Sequence, residues 1–415
     1  MSDEAHIGPG EVGSIRFRSH RSFSENNLTK AAVEPDMETK MHFGRCSSGL
    51  KPVVFVVFAV CALSAGCRSE DPSRIGFIGG LTDANSDNGQ AGLRGVTLAV
   101  EQFNRAGGLD GRMVEVIAKD DAQDADTAAR ATRDLVAAGV PAIIGPFTSS
   151  MALVTLPITG EAGVLQVSPT ITSMTFHGRD DNLFRINRTT RDNARDYAKV
   201  MTGRGLRKFA VAYDLRNRSF TESWLAEFRV ALQSAGAEVV AAVPYESAAD
   251  RDFAPVVRDM VAARPDSLFF LSGALDVARL AQQARKQAPA LPIGAAEWAA
   301  TEHLIDLGGT VVEGLLVAQN FDRDDTSGRF TEFTEAYFKR FQRPPGYSSI
   351  SAYDAATVVL QALSKKHSNE TLKASMLRNG PYQGLQQEIA FDANGDTTRR
   401  VYFTEVLQGR YVKVR

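Results

Sequence analysis

Cysteine is scarce in this chain: there are three in 415 residues, and two of them, Cys46 and Cys61, stand before Cys67. Whatever folds after Cys67 therefore has no disulfide framework and must rely on its core. Histidine is equally thin. His177, His303 and His367 are the ones beyond Cys67, and none has a partner at metal-ligand spacing. Neither sign of charge dominates, with 47 Lys and Arg against 49 Asp and Glu. A net charge of -2 shows no nucleic-acid footprint. Catalytic signatures are missing too: there is no Gly-x-Ser-x-Gly elbow, no His-Glu-x-x-His and no Cys-x-x-Cys. The glycines of residues 76–80 lack GxGxxG spacing and read as tight turns beside a sheet. Asp392-Ala393-Asn394-Gly395-Asp396 opens like a calcium loop, but Phe403 stands where the bidentate acid belongs, so a β-turn is expected. No cofactor and no metal are expected. An enzyme on this chain would need a titratable nucleophile and base in one cleft, and no convincing pair is visible.

What is present begins with an apolar run over residues 53–65, preceded by Arg45 and Lys51 and closed by Leu63-Ser64-Ala65-Gly66-Cys67. A basic segment, a short apolar core and small residues before a cut are the marks of a secretory signal. The run is shorter than the ~18 residues that suggest a spanning helix. Its end resembles a bacterial lipobox, which implies that Cys67 becomes the lipidated first residue of an exported chain. An uncleaved membrane anchor or an accidental apolar stretch is the alternative. Residues 1–40 are polar and aperiodic and read as a disordered or mis-called extension; residues 41–66, starting at Met41, read as the lipoprotein signal peptide.

About 350 residues follow Cys67, more than one hydrophobic core usually serves, so two lobes are expected. Short apolar runs alternate with amphipathic segments. Strands are expected at 75–79, 113–118, 142–144 and 164–167, with helices starting near Leu93 and covering 124–138 and 151–161. A second series starts near residue 207, with strands at 209–213, 238–243, 267–271 and 315–317 and helices at 221–234, 252–263 and 276–287. Helices at 330–341 and 348–363 follow, and from Gln386 the pattern looks antiparallel. Two runs of alternating strands and helices give an α/β fold of two Rossmann-like, doubly wound lobes. No internal repeat is visible.

Ligands of such sheets sit outside the carboxyl ends of the strands. Small polar residues cluster there: Gly145-Pro146-Phe147-Thr148-Ser149-Ser150 after one strand and Ser168-Pro169-Thr170-Ile171-Thr172 after the next. Hydroxyls and amides at a helix N-terminus suit a carboxylate. Plain helix capping by Ser and Thr is the other reading.

In order and spacing, several blocks resemble the extracellular solute-binding proteins of ABC transporters of the branched-chain amino acid type. They are Gly89, Arg94-Gly95, the run from Asn104 to Gly111, Asp120-Asp121, Ile144-Gly145-Pro146 with Ser149, and Ser168-Pro169 with Thr172. Gly308-Gly309, Val312-Glu313-Gly314, Tyr353-Asp354-Ala355, Phe391-Asp392 and Asn394-Gly395-Asp396 complete the set. The resemblance implies a type I periplasmic binding fold with three crossovers, lobe 1 being 74–190 plus 322–392 and lobe 2 being 191–321 plus 393–415. It implies no enzyme, a small-molecule ligand, ABC permease and ATPase partners, and the membrane through Cys67. Carried over, Ser149 and Thr172 hold the ligand carboxylate with backbone groups of Thr170 and Ile171, and Glu297 meets an ammonium. Phe220 stands at the place of a cleft tyrosine and Trp298 is a candidate apolar wall. Plainer readings stand beside these: a surface acid for Glu297, core packing for Trp298 and a helix staple for Phe220.

The chain also departs from the pattern. Ser272-Gly273-Ala274-Leu275 replaces a family tyrosine, Asp276 is either a helix cap or a ligand contact, and Gln123 and Thr148 replace a cysteine pair. The ligand is thus left open between branched-chain and other amino acids, aromatic acids and amides. A sensor that feeds a signalling partner is the alternative to transport.

Overall fold

The computed structural model of the protein describes residues 72–82 and 86–414. Cys67, the 1–40 extension and the 41–66 signal lie outside the described residues. Among the described residues no helix is long and apolar enough to cross a membrane.

The first half is a five-stranded parallel sheet in the order β2-β1-β3-β4-β5. Its strands are β1 (Ser73–Gly79), β2 (Val114–Asp120), β3 (Ala142–Ile144), β4 (Leu165–Ser168) and β5 (Leu183–Arg185). Helices α1 (Asp87–Arg105), α2 (Ala125–Ala137) and α3 (Ser149–Glu161) connect the first four. Apolar runs make these strands because both faces are covered. The turn residues set the ends: Asp124 caps α2 by accepting from the Thr127 amide, and Gly107 and Gly108, both at positive φ, stop α1.

The second half has seven strands in the order β14-β13-β10-β9-β8-β6-β7. Its parallel part comprises β6 (Lys208–Asp214), β7 (Glu238–Tyr245), β8 (Ser267–Leu271), β9 (Ile293–Ala295) and β10 (Leu316–Gln319). Read outward from β7, it repeats the strand order of the first half. Helices α4 (Thr190–Gly203), α5 (Arg218–Ser234), α6 (Ala254–Ala262), α7 (Ala274–Gln287) and α8 (Glu302–Gly308) belong to this series. The chain then runs through α9 (Gly328–Phe341), α10 (Tyr347–Ser364), α11 (Leu372–Asn379) and the small hairpin β11 (Tyr382–Gln383) and β12 (Glu388–Ile389). It ends in β13 (Tyr402–Leu407) and β14 (Arg410–Lys413), antiparallel additions to the edge at β10. Three crossovers result: after β5, after β10, and between β12 and β13. This is the doubly wound α/β architecture expected from the sequence, and the 392–396 segment is the expected turn, closed by a Phe391–Thr397 bridge.

The second series starts earlier than residue 207. Helix α4 buries Ala194, Tyr197, Ala198 and Met201 at helical spacing, but its five charged residues Arg191, Asp192, Arg195, Asp196 and Lys199 mask that stripe. The three-residue strands β5 and β9 carry too little pattern to be read alone.

Tyr197 joins α4 to the centre of the second sheet. Its hydroxyl donates to the Ala295 carbonyl at 2.7 Å and accepts from the Ala318 amide at 2.6 Å, linking β9 to β10. Its ring meets Trp224, Phe269 and Phe403 edge-on at 5.4, 5.3 and 4.8 Å. In the first half, Gly95 of α1 lets α10 approach closely: a Cβ there would lie 2.2 Å from the Ser349 carbonyl oxygen. That contact holds the start of α10 beside the start of α1, where both face the other half.

Tyr197→Phe keeps the ring but strands a buried carbonyl and a buried amide. The expected loss is about 1–3 kcal/mol of unfolding free energy. Urea titration followed by tryptophan fluorescence measures it, because both tryptophans, Trp224 and Trp298, lie in the second half.

Candidate ligand-binding cleft

The site grows from the carboxyl ends of β3 and β4, beside the point where the first sheet's order reverses. After β3 the chain turns at Gly145, whose φ of 117° suits glycine, and enters α3 with Ser149 as its first helical residue. After β4, Ser168 ties the two loops together. Its hydroxyl donates to the Pro146 carbonyl at 2.8 Å and accepts from the Ile171 amide at 3.1 Å. Thr170 adds a bond from its hydroxyl to the Phe147 carbonyl at 2.6 Å. The Phe147 ring lies 5.4 Å from Phe77 and fills the space left by Gly92. The floor of the site is therefore one cross-linked unit.

The second half supplies the opposing wall. Phe220 stands in the first turn of α5 and its ring meets Trp298 edge-on at 5.8 Å. Glu297 and Trp298 form a 3-10 turn after β9. Glu297 is buried, and burial pushes its carboxyl above the usual range. Two neutral donors oppose that shift: Asn193 Nδ2 at 2.7 Å from Oε1, and Trp224 Nε1 at 3.2 Å from Oε2. The Arg188 guanidinium donates to Asn193 Oδ1 at 2.6 Å, which turns the Asn193 amide nitrogen toward the acid. Glu297 is an oriented acid under a cationic field, not a surface acid.

Five of the residues singled out in the sequence, Ser149, Thr170, Phe220, Glu297 and Trp298, line one cavity between the halves. Phe147, Asn187, Asn217, Asn320 and Tyr347 complete it. The free space is about 20 Å³, room for a single water. Trp298 does double duty, since it also belongs to the aromatic core of the second half.

Two candidates stand elsewhere. Ile171 packs with Ala152, Phe176 and Leu183 and its amide is taken by Ser168. Thr172 is buried with no partner for its hydroxyl and is not among the residues lining this cavity. Asp276 is neither cap nor cavity residue: Gly273 is the N-cap of α7, and Asp276 is buried near Asp214 and Tyr245.

Direct hydrogen bonds join the two halves around the cavity. The Ser150 amide donates to Asn217 Oδ1 at 3.1 Å, and the Ser219 amide donates to Ser150 Oγ at 3.2 Å. Ser173 Oγ donates to the Ser219 carbonyl at 2.7 Å, and the Met174 amide to Ser223 Oγ at 3.0 Å. On another side Asn88 Nδ2 and the Tyr347 hydroxyl both reach the Trp298 carbonyl at 3.4 Å. Beyond Tyr347 lies a larger polar cavity of about 920 Å³, lined by Arg94, Glu302, Arg323 and Tyr411 among others.

Sequence reasoning passed over the three asparagines. Asn320 directly follows β10, Asn187 lies two residues after β5, and Asn217 three after β6, so the strand-end rule covers them all. Tyr347 gives no local signal, because the packing of α10 on α1 brings it in.

Residues 72–410 match the periplasmic binding proteins. The chain belongs to that family. Its members are solute-binding proteins, not enzymes. A Leu-, Ile-, Val-, Thr- and Ala-binding protein of Pseudomonas aeruginosa is 24% identical over 348 residues, covering 83% of this chain and 92% of its own. Among solved structures, a leucine-binding protein of Thermotoga maritima aligns with a TM-score of 0.76 at 23% identity, covering 83% of this chain and 98% of its own. A solute-binding protein from R. palustris in complex with benzoate aligns at 0.75 and 17% identity, over 83% and 96% of the two chains.

One acid outside the cavity governs a pH response. Burial pushes the Asp214 carboxyl up to about 6, against bonds from the Arg216 and Ser247 amides and with the Asp276 charge adding to the rise. The folded state thus holds a proton that the unfolded chain releases near its ordinary value of 3.8. Its stability contribution is fully present below that value and is lost as pH rises to about 6. Asp214→Asn, a mimic of the protonated acid, should gain up to about 3 kcal/mol relative to the parent between pH 4 and pH 7. Urea unfolding of both proteins across that range checks it.

Proposed function

We propose that this protein is the substrate-binding component of an ABC importer, capturing a small carboxylate of the amino-acid class by closure of its two lobes. The lobes, 74–190 plus 322–392 and 191–321 plus 393–415, move about the three crossovers. The observation that carries the reading is the meeting of the hydroxyl-bearing α3 N-terminus of one half with the oriented Glu297 of the other, around one enclosed cavity.

The ligand carboxylate docks on Ser149 at the start of α3, where the helix dipole favours negative charge. Thr170 holds that loop in place through Phe147. Glu297 takes the ammonium, and Phe147, Phe220 and Trp298 exclude water. Thr172 and Ile171 support this floor from behind. A space of about 20 Å³ admits no amino acid, so the ligand enters with the halves apart, and they close around it to a cleft wider than this one. The pairing is strict because an unpaired carboxylate in a closed cleft is costly.

The closed pair of lobes is the surface that a permease with its ATPase recognises. The lipidated Cys67 holds the chain at a membrane on the exported side, in the periplasm or at the cell surface. The names of the relatives, which bind leucine, isoleucine and valine or accompany benzoate, support a small carboxylate as the common ligand.

Calorimetry of the purified protein against amino acids and aromatic acids tests this. A ligand at 100 times its Kd should add about 2.7 kcal/mol of stability in a thermal-shift assay. Glu297→Gln should weaken an α-amino acid by about tenfold to 100-fold, the range of a charge-assisted hydrogen bond, and leave a des-amino acid unchanged. Binding of amino acids unaffected by Glu297→Gln would remove that residue from the ligand. For the anchor, Cys67→Ser should abolish incorporation of labelled palmitate and release the protein from membranes.

A further inference from the structure

Two of the cavity's asparagines have orientations set by their neighbours. Asn187 donates from Nδ2 to the Pro169 carbonyl at 2.7 Å. A carbonyl only accepts, so the nitrogen must face it and Oδ1 must face away. Asn187 is 4% exposed, lines the cavity, and its Oδ1 is buried with no partner. Asn217 is fixed the opposite way. Its Oδ1 accepts the Ser150 amide, so its Nδ2 is the group left over, and Asn217 is 3% exposed on the same cavity. The lining of this cavity thus includes an acceptor without a partner, on Asn187, and an amide nitrogen left over for donation, on Asn217.

The geometry points to a ligand that carries a carboxamide. A primary amide is the group that answers both walls: its N–H donates to Asn187 Oδ1 and its carbonyl accepts from Asn217 Nδ2. Asn320 adds a third amide to the same lining. An aliphatic side chain such as that of leucine answers neither and leaves the Asn187 oxygen buried and unpaired. A site built on a buried polar group rejects the ligand that lacks its partner far more strongly than an apolar pocket rejects an extra methylene. This inference rests on the solute-binding reading above and narrows it to side-chain chemistry. Two sources present this group: an amino acid ending in an amide, or a small free amide.

The test is calorimetry of the full-length protein with glutamine, asparagine, acetamide, leucine and isoleucine, repeated on Asn187→Leu. The parent should bind at least one amide about tenfold to 100-fold tighter than leucine, from the cost of one unpaired buried acceptor. Asn187→Leu should reverse that order. Tight glutamine or asparagine binding without acetamide binding assigns the amino acid; acetamide binding at similar strength assigns the free amide. Either supports the inference. Leucine or isoleucine binding tighter than every amide to the parent overturns it and leaves the amino-acid clamp standing. The ranking on the parent decides this even if the variant fails to fold. Binding of no compound by the parent overturns the clamp and this inference together.

Discussion

The constraint that organises this molecule is that polar groups buried between its halves must find partners. The loops after β3 and β4 carry hydroxyls, amides and carbonyls into a buried region. They survive there because Ser168 and Thr170 cross-link them, and because Ser150, Ser173 and Met174 exchange hydrogen bonds with the start of α5. The same demand accounts for Asn193, which presents its nitrogen to Glu297 only because Arg188 occupies its oxygen. A closed cleft of this kind is selective by default, since any ligand that fails to replace a lost partner pays the desolvation cost of the group it strands.

The packing within each half differs from the packing between the halves. Within the second half, Tyr197, Trp224, Phe228 and Phe269 form a dense aromatic cluster that fixes β8, β9 and β10 relative to α4 and α5. Within the first half, the close contact of α1 with α10 does the same. The contacts across the cleft are mostly single hydrogen bonds between short side chains and backbone, each of about 1 kcal/mol net, which water can replace when the halves part. Cores resist deformation and an interface of this kind does not, so the closure proposed above would concentrate its motion at the three crossovers.

Much of the architecture was legible from pattern alone. Apolar runs of strand length alternating with amphipathic helices announced two parallel sheets, and the small polar residues after β3 and β4 marked one floor of the cleft. The elements that escaped were those with too little pattern, such as β5 and β9, or too much charge, such as α4. The repeat of one strand order in both halves is a tertiary fact that left no trace as a repeated sequence, since many sequences satisfy the same pattern of burial. Ile171 and Thr172 show the limit at the site. Strand-end position brings a residue to the cleft, but whether its side chain faces the cavity depends on how the loop turns, and here Ser168 turns that loop inward.

By itself the sequence determined the fold class and, with a single cysteine from Cys67 onward, that this part of the chain has no disulfide framework. Those properties follow from composition, periodicity and local motifs, which need no partner to be read. The tertiary structure alone decided which polar atoms in the cleft are spent and which remain. Asn187, Asn217 and Glu297 are distant in sequence, and the free side of each amide is set by a neighbour contributed by another element. Hydrogen-bond direction is a property of pairs, so it exists only once the pairs have formed.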